Sequence, residues 1–261
     1  NAILMNYIRE SDSIDFSMIN HPKKIISQWQ KDYSAEEIES LCRWNNTTSK
    51  IWFRLNDEVK KTLILDNMNN FHYHSDIKNY ITFDDTKSAI EKYVKKNLLI
   101  VQSPSSSLVC DMLNVCKDEI VIDACASPGG KARCILENID NSNVFHMNDI
   151  SSKKYLQLNN DFKNTVSSIT CKDASHEKFP LADKILLDVP CSATGTIQKN
   201  PDIKWKKHNL EKLNILQLKI LKNMSKFIKD KGVIVYSTCS INKCENFKII
   251  DMFLNENKDF A

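Results

Sequence analysis

From about residue 98 the chain alternates short continuous runs of Val, Ile and Leu with helical stretches, and this alternation limits the possible folds more than any other feature. The runs fall at Leu98–Val101, Glu119–Ala124, Val144–Met147, Ser168–Thr170, Lys184–Leu187 and Gly232–Tyr236. Helices are predicted over 105–114, 130–139, 151–163 and 209–228, separating most of the runs. A strand that is apolar on both faces must be buried on both faces, and such strands joined by helices form a parallel sheet covered by helices. The expected class is α/β, a doubly wound Rossmann-like sheet with any active site at the carboxyl ends of its strands.

The first third reads differently. Apolar positions 3, 4, 7 and 8 predict a helix over residues 1–10. Two further helices are predicted over Asn20–Gln30 and Ser34–Asn45, the second opened by a capping box of Ser34 and Glu37. Ile51–Leu55 reads as a short strand, Asp57–Asn67 as a helix and Phe71–Phe83 as a pair of weak strands, together a small α+β region. His72 and His74 share one strand face, but with no further ligand type beside them they read as structural.

Composition narrows the class by exclusion. With 261 residues, 42% of them hydrophobic and 26% charged, the chain has room for one large globular domain or two modest ones. No apolar run approaches the ~18 residues of a membrane span. The start, Asn1-Ala2-Ile3-Leu4, lacks the basic-then-apolar layout of a secretion signal, so a cytoplasmic location is expected. The nine cysteines are odd in number and form no Cys-x-x-Cys pair. That predicts reduced thiols and no structural metal, rather than a disulfide framework or a zinc ribbon.

Net charge is only +3, yet residues 199–231 carry ten lysines against Asp202, Glu211 and Asp230. Such a stripe suits a polyanionic partner, or else a solvated helix face in a chain whose cations are nearly all lysine.

The chain has only four glycines, Gly129, Gly130, Gly195 and Gly232, and two of them mark the end of the first long run. There Asp123-Ala124-Cys125-Ala126-Ser127-Pro128-Gly129-Gly130-Lys131 leads into a helix, a layout in which a backbone can approach a ligand. A phosphate-binding P-loop is excluded, because Cys125 and Ala132 occupy positions that need Gly and Ser or Thr. Asp149 and Asp173 follow at the next strand ends, and a carboxylate there suits a ribose diol, so the set predicts a nucleoside-type cofactor. The fourth and fifth strand ends carry Leu187-Asp188-Val189-Pro190-Cys191-Ser192-Ala193-Thr194-Gly195 and Tyr236-Ser237-Thr238-Cys239-Ser240, followed by Glu245-Asn246. Two thiols at neighbouring strand ends point to thiol chemistry, and the bland alternative is two small buried hydrophobes. Cys42, Cys110, Cys116, Cys134, Cys171 and Cys244 read as the latter.

These three segments resemble motifs I, IV and VI of the RNA cytosine-C5 methyltransferases of the Sun/Fmu family. The segment Asn200-Pro201-Asp202-Ile203-Lys204-Trp205 is most similar to the bacterial members that act on 16S ribosomal RNA. The resemblance extends back through Val101-Gln102 and Trp52-Phe53-Arg54-Leu55-Asn56 to His21-Pro22, and residues 1–10 resemble the last helix of a NusB-like domain. It implies three segments: a NusB-like remnant over 1–20, a small α+β RNA-binding region over 21–97 and a class I S-adenosylmethionine-dependent methyltransferase domain over 98–261. Most of the NusB-like domain and the final antiparallel strands of the family are absent, so the chain reads as part of a longer protein. Ser127, Ala132 and Lys172 replace a common Ala, Thr and Gly, and none of the three removes a reacting group.

The chemistry implied begins with cytosine C5 being a poor nucleophile. A thiolate that adds to C6 turns the ring into an enamine and makes C5 reactive, with S-adenosylmethionine as methyl donor. An acid near N3 is needed as charge builds on the ring, and Asp188 is the candidate. Either thiol suits the attack on chemical grounds. The resemblance implies Cys239 as nucleophile and Cys191 as the group assisting release. By the same resemblance the cofactor contacts are Cys125, Ala126, Ser127, Pro128, Gly129, Gly130, Lys131, Asp149, Asp173 and Asp188, with Lys131 also near the target nucleotide. The target base must be unpaired or flipped to meet a thiol. Lys199, Lys204, Trp205, Lys206 and Lys207 are placed to hold RNA, or else form a loop packed by Trp205. The expected partner is 16S ribosomal RNA, bound by a monomer. The rival readings are a transfer RNA methyltransferase of the same family and an inactive RNA-binding assembly factor. The second is disfavoured by the intact set Lys131, Asp188, Cys191 and Cys239.

Overall fold

The computed structural model describes residues 20–55, 61, 71–84, 93–94 and 98–261. The helix expected over 1–10 lies outside the described residues, as does the one over 57–67 except for Lys61. Nine strands are described: β1 Trp52–Leu55, β2 Phe71–Tyr73, β3 Tyr80–Phe83, β4 Leu99–Val101, β5 Ile120–Asp123, β6 Val144–Asn148, β7 Ser168–Thr170, β8 Ala182–Asp188 and β9 Ile228–Ser237. They form two sheets, one of four strands in the order β2-β3-β1-β4 and one of five in the order β7-β6-β5-β8-β9. The chain divides into two compact units. One holds residues 50–190 and 215–238 and contains both sheets, and the other holds residues up to 49 with 191–214 and 239–261.

In the sheet unit every neighbour in the five-stranded sheet is parallel. Helices Gly130–Leu136 and Ser152–Phe162 carry the chain from β5 to β6 and from β6 to β7. The strand order reverses beside β5, which makes its carboxyl end the topological switch point where ligands of such sheets bind. The apolar runs explain the burial. Val121, Ile122, Phe145, Met147 and Ile185 to Leu187 are all buried, and fully burying one such side chain contributes about 1.5–3 kcal/mol. β9 starts earlier than the predicted Gly232. It pairs once at Ile228, loops out, and resumes at Val233 beside Lys184. Lys231 with φ +61° lies inside that irregularity.

One predicted strand belongs elsewhere. Leu98–Val101 was expected to open the parallel series, but β4 pairs antiparallel with β1 and closes the small sheet. The four-stranded sheet is antiparallel throughout. Its core is Phe53, Leu55, Ile81 and Leu99. His72 meets Asp84 at 2.9 Å, and among the described residues no cluster of His, Cys, Asp and Glu is arranged to hold a metal.

In the other unit the two predicted helices appear as Lys23–Trp29 and Ala35–Asn45, the second with both bonds of the Ser34–Glu37 capping box. They pack on the 3-10 turns Thr194–Thr196 and Pro201–Trp205 through a core of Ile26, Trp29, Ile38, Cys42, Ile197 and Ile203. Helix Phe247–Glu256 follows the second thiol segment. Of the cysteines expected to be buried, Cys42, Cys110 and Cys134 are, whereas Cys116 and Cys171 are exposed and Cys244 is half-buried. No helix among the described residues is long and apolar enough to cross a membrane.

Candidate active site

The carboxyl edge of the parallel sheet gathers the polar residues of the first motif. β5 ends at Asp123, and the loop Ala124–Gly129 bends back into helix Gly130–Leu136. Gly129 has φ +99°, and a Cβ there would stand 2.5 Å from the Phe162 ring, so both backbone conformation and space require glycine. The Ala126 N–H donates to the Asn148 carbonyl at 2.8 Å and the Gly129 N–H to the Ala126 carbonyl at 2.7 Å, which shapes the loop. At Gly130 a Cβ would make only an ordinary contact, with Gln102 Nε2 at 3.7 Å, and that same Nε2 donates to the Gly130 carbonyl at 2.7 Å.

The strongest support for this edge is a residue that sequence reasoning did not select. Asn148, the last residue of β6, donates through Nδ2 to the carbonyls of Ala124 and Lys172, each at 3.0 Å. Its Oδ1 accepts from the Lys172 N–H at 2.9 Å and the Thr170 hydroxyl at 2.8 Å. One buried amide thus binds the segments following β5 and β7 to β6, with all its hydrogen-bonding capacity on the donor side used.

Asp149, next along, is buried. It accepts the Ser151 N–H on Oδ1 at 3.0 Å and meets Lys154 on Oδ2 at 3.5 Å. Asp173 lies beyond β7 in a turn, accepting the Ser175 N–H at 2.8 Å with His176 3.4 Å away. Burial works to raise its pKa, but the bonds from Ser175 and the nearby His176 outweigh it and leave the carboxyl below its ordinary value. Asp123 is different. It is wholly buried, and desolvation together with the negative charges of Asp188 and Asp149 pushes it up to about 7 against the opposing pull of Lys131. The same burial and carboxylates raise the Cys125 thiol.

Asp188, at the end of β8, accepts on both oxygens. Lys131 Nζ is 2.6 Å from Oδ2, and the Ser237 hydroxyl at the end of β9 donates to Oδ1 at 2.8 Å. Lys131 and Asp188, singled out separately in the sequence, are thus in direct contact, and Ser237 is a further partner of Asp188.

The second unit holds the thiols. Cys191 Sγ and Cys239 Sγ are 3.2 Å apart, with Cys239 exposed and Cys191 half-buried. The hydrogen bond to Cys239, followed by burial, raises the Cys191 thiol far above the ordinary range. At this separation either thiol can donate its S–H to the other. Gly195 fits between the two loops. Its N–H donates to the Cys239 carbonyl at 2.9 Å, and a Cβ on Gly195 would stand 2.9 Å from that same oxygen.

The two thiol loops are held by Glu245, which is 0% exposed. Its Oε1 accepts the Ser192 N–H at 2.8 Å, and its Oε2 accepts the hydroxyls of Ser192 and Ser240 and, at 3.0 Å, the Asn242 amide. Ser240 also meets Ser192 at 3.0 Å and Thr194 at 3.1 Å. Burial pushes the Glu245 carboxyl up, but the bonds from Ser192, Ser240 and Asn242 more than offset this, and it lies below its ordinary value. The signal for it in sequence was the Glu-Asn pair after the second thiol, which has no role legible without the fold.

In the basic segment Lys199, Trp205, Lys206 and Lys207 are exposed and Lys204 is half-buried. Trp205 is 69% exposed, so the expectation of a loop packed by Trp205 fails. Ile203 takes the core position instead. Lys206 is paired with Asp202 at 2.7 Å.

Solved structures place the sheet in a known class. A structure titled PH0851 is 25% identical with a TM-score of 0.81, the alignment covering 91% of this chain and 57% of that one. NSun6 from Pyrococcus horikoshii, solved with SFG, has a TM-score of 0.76 at 16% identity, covering 90% of this chain and 87% of that one. The fold is that of the class I S-adenosylmethionine-dependent methyltransferases. Residues 110–261 match the family described as 16S rRNA methyltransferase RsmB/F, and the chain belongs to that family.

Among its relatives, ribosomal RNA small subunit methyltransferase B of Vibrio vulnificus (strain YJ016) is 30% identical over 97% of this chain and 64% of its own length. The probable enzyme of the same description from Bacillus subtilis (strain 168) is 30% identical over 92% of this chain and 57% of its own. The chain thus spans 57% to 64% of the length of these relatives.

Proposed function

We propose that the protein to which this chain belongs transfers a methyl group to C5 of a cytosine in 16S ribosomal RNA through a covalent bond between Cys239 and C6. The observation that carries this reading is the thiol pair at 3.2 Å, one thiol exposed and the other half-buried beside it. A methyl transfer to nitrogen or oxygen has no use for two such thiols.

The residues at the sheet edge fit S-adenosylmethionine. The loop Cys125–Lys131 leads into the N-terminus of helix Gly130–Leu136, and Asp149 keeps an oxygen with a single long contact for a ribose diol. Asp173 and Asp188 complete the set. When bound, S-adenosylmethionine supplies an electrophilic methyl on a sulfonium, which C5 takes.

The chain's own residues do the rest. Cys239, as thiolate, adds to C6 and its electron pair displaces that of the C5–C6 bond onto the ring. Asp188, taking a proton from the Lys131 ammonium 2.6 Å away, shares it with N3 while that charge is present and returns it to Lys131 afterwards. Loss of the C5 proton to a solvent water after methylation leaves the pair that re-forms the C5–C6 double bond and expels Cys239 with the electrons of the C6–S bond. The Cys191 S–H, hydrogen-bonded to the departing sulfur, stabilises it as a thiolate. Lys199, Lys204, Trp205, Lys206 and Lys207 bind the RNA strand, and the protein acts as a cytoplasmic monomer. In this reading residues 1–20 end a NusB-like domain, 21–97 bind RNA and 98–261 carry the chemistry.

Transfer of labelled methyl from S-adenosylmethionine to unmodified 16S RNA and, in parallel, to unmodified transfer RNA tests the reading. Label in 5-methylcytidine from 16S RNA is expected. Label from transfer RNA in its place overturns the substrate and keeps the chemistry, and none from either overturns both. Cys239→Ala is expected to abolish turnover, and Cys191→Ala to accumulate a covalent RNA adduct resistant to denaturant. Adduct with Cys239→Ala and none with Cys191→Ala reverses the roles.

A further inference from the structure

The small antiparallel sheet takes no part in the chemistry described above, yet one side chain from its border reaches the loop of the first motif. Gln102 directly follows β4, and its N–H donates to the Trp52 carbonyl of β1 at 3.1 Å. The residue is 8% exposed, and its side chain is held at both ends. Nε2 donates to the Gly130 carbonyl at 2.7 Å, and Oε1 accepts the hydroxyl of Tyr80, a β3 residue, at 3.0 Å. A carbonyl can only accept, so the N–H₂ end must face Gly130 and the oxygen must face Tyr80. Tyr80 is 1% exposed, and burial pushes its hydroxyl up to about 12, which keeps it a donor at neutral pH.

We infer that Gln102 is a positioning residue for Lys131, kept in its working orientation by Tyr80. The inference rests on the reading of the protein as a methyltransferase in which Lys131 hands Asp188 the proton shared with N3. That transfer needs Lys131 Nζ at the 2.6 Å it keeps from Asp188 Oδ2. A lysine side chain is a flexible four-carbon stem, so its reach is fixed only if its backbone is fixed. The backbone before Lys131 is the softest of the loop. Gly129 and Gly130 stand in succession there, and residues without a Cβ restrict their own dihedrals least. They also open helix Gly130–Leu136, whose first N–H groups have no intrahelical partner. Gln102 holds the peptide group before the Lys131 Cα through the Gly130 carbonyl. The Cys110 thiol, 3.5 Å from the Lys131 carbonyl, holds the one after it. The first clamp is the stronger, because an amide N–H donates better than a thiol. Both come from the stretch that leaves the small sheet at β4 and runs into helix Pro104–Leu113, so that sheet sets where Lys131 points.

The test pairs a chemical footprint with kinetics on the full-length protein. Gln102→Met keeps the length of the side chain and removes both of its bonds, and Tyr80→Phe removes only the hydroxyl. The rate at which an N-hydroxysuccinimide ester of acetic acid acylates Lys131, read on its peptide by mass spectrometry, reports how firmly the ammonium is held. In Gln102→Met that rate is expected to rise several-fold while that of the exposed Lys117 stays unchanged. The kcat for methyl transfer to 16S RNA is expected to fall by about tenfold to a hundredfold, the cost of a small misplacement, with KM for the RNA unchanged. Tyr80→Phe is expected to move both readouts the same way by less, and the double variant to behave as Gln102→Met alone. Unchanged labelling of Lys131 in Gln102→Met overturns the inference. So does labelling that rises at Lys117 as well, which marks general loosening. Where Gln102→Met does not fold, an unmoved Lys131 in Tyr80→Phe overturns it instead. Effects of the two substitutions that multiply overturn the part assigned to Tyr80. The footprint needs no substrate, so the two failures separate. Methyl transfer by the wild-type protein with an unmoved footprint sinks only the positioning role, and a moved footprint in a protein that transfers no methyl sinks the functional reading.

Discussion

Asn148 in the sheet unit and Glu245 in the thiol unit both tie together loops that follow strands, and both are nearly or wholly buried, but one does so as a neutral amide and the other as a carboxylate. Asn148 gives two bonds and takes two, and its partners are mostly backbone. Glu245 only accepts, and its partners are chiefly hydroxyls and an amide of neighbouring side chains. A neutral amide fixes a backbone path cheaply, because neither state of it is charged. A buried carboxylate is costly to desolvate and is tolerated only when every donor is aimed at it, so it rigidifies a whole set of side chains at once. The sheet edge needs a path held in place. The thiol loops need two sulfurs held at a fixed separation, and the charged staple is found there.

Breaking the two staples measures the difference. Glu245→Ala orphans several buried donors and is expected to cost about 4 kcal/mol in urea unfolding at neutral pH, from roughly 1–3 kcal/mol per donor less relaxation. Asn148→Ala is expected to cost about 3 kcal/mol, since two carbonyls and two donors lose partners but no charge-assisted bond is lost. Equal costs would show that the charge of Glu245 adds nothing. Glu245→Gln sharpens the point. It keeps the shape and places an N–H₂ where a hydroxyl or N–H already donates, so a loss clearly above that of a surface change is expected.

The strand ends were legible because continuous apolar runs followed by Asp, Gly or Cys leave few places to lie in a parallel sheet. Pairing was not. Leu99, Ile100 and Val101 give the same local pattern whether they join a parallel sheet or, as they do, an antiparallel one, because a three-residue strand carries no record of its partner's direction. Site residues that react were visible by their chemistry. Asn148, Asn242 and Glu245 were not, because a polar side chain's structural role depends on which distant carbonyls and hydroxyls the fold delivers to it. Trp205 was undecidable from composition. In a 3-10 turn residues two apart point to different sides, and once Ile203 enters the core Trp205 is turned outward.

The acid–base behaviour of the two regions runs in opposite directions. Glu245 has a folded pKa below its ordinary 4.5, so its contribution to stability is present above that value and is lost as pH falls through the folded pKa. Asp123 has a folded pKa raised from 3.8 to about 7, so its contribution is present below 3.8 and is lost as pH rises through about 7. Asp123→Asn is expected to remove a decline of about 2–4 kcal/mol between pH 4 and 8 while leaving the acid limb unchanged. Urea unfolding across that range checks it, and a decline that survives in Asp123→Asn places the raised group elsewhere.

Trp205→Ala lies at the other end of the scale. The indole is 69% exposed and no part of it belongs to the Ile203 core, so the urea midpoint is expected to stay where it is. RNA affinity is expected to fall by about 5- to 100-fold if the ring stacks on a base, the range that roughly 1–3 kcal/mol of stacking spans. Lys206→Ala provides the comparison within the same loop. Lys206 is already paired with Asp202, so its removal is expected to reduce affinity less than removal of Lys207, for which no ion pair exists among the described residues. An unchanged affinity in Trp205→Ala, with stability also unchanged, would leave the indole without a role in RNA binding. It would confine recognition in this unit to its cations, whose contribution the Lys206 and Lys207 variants measure.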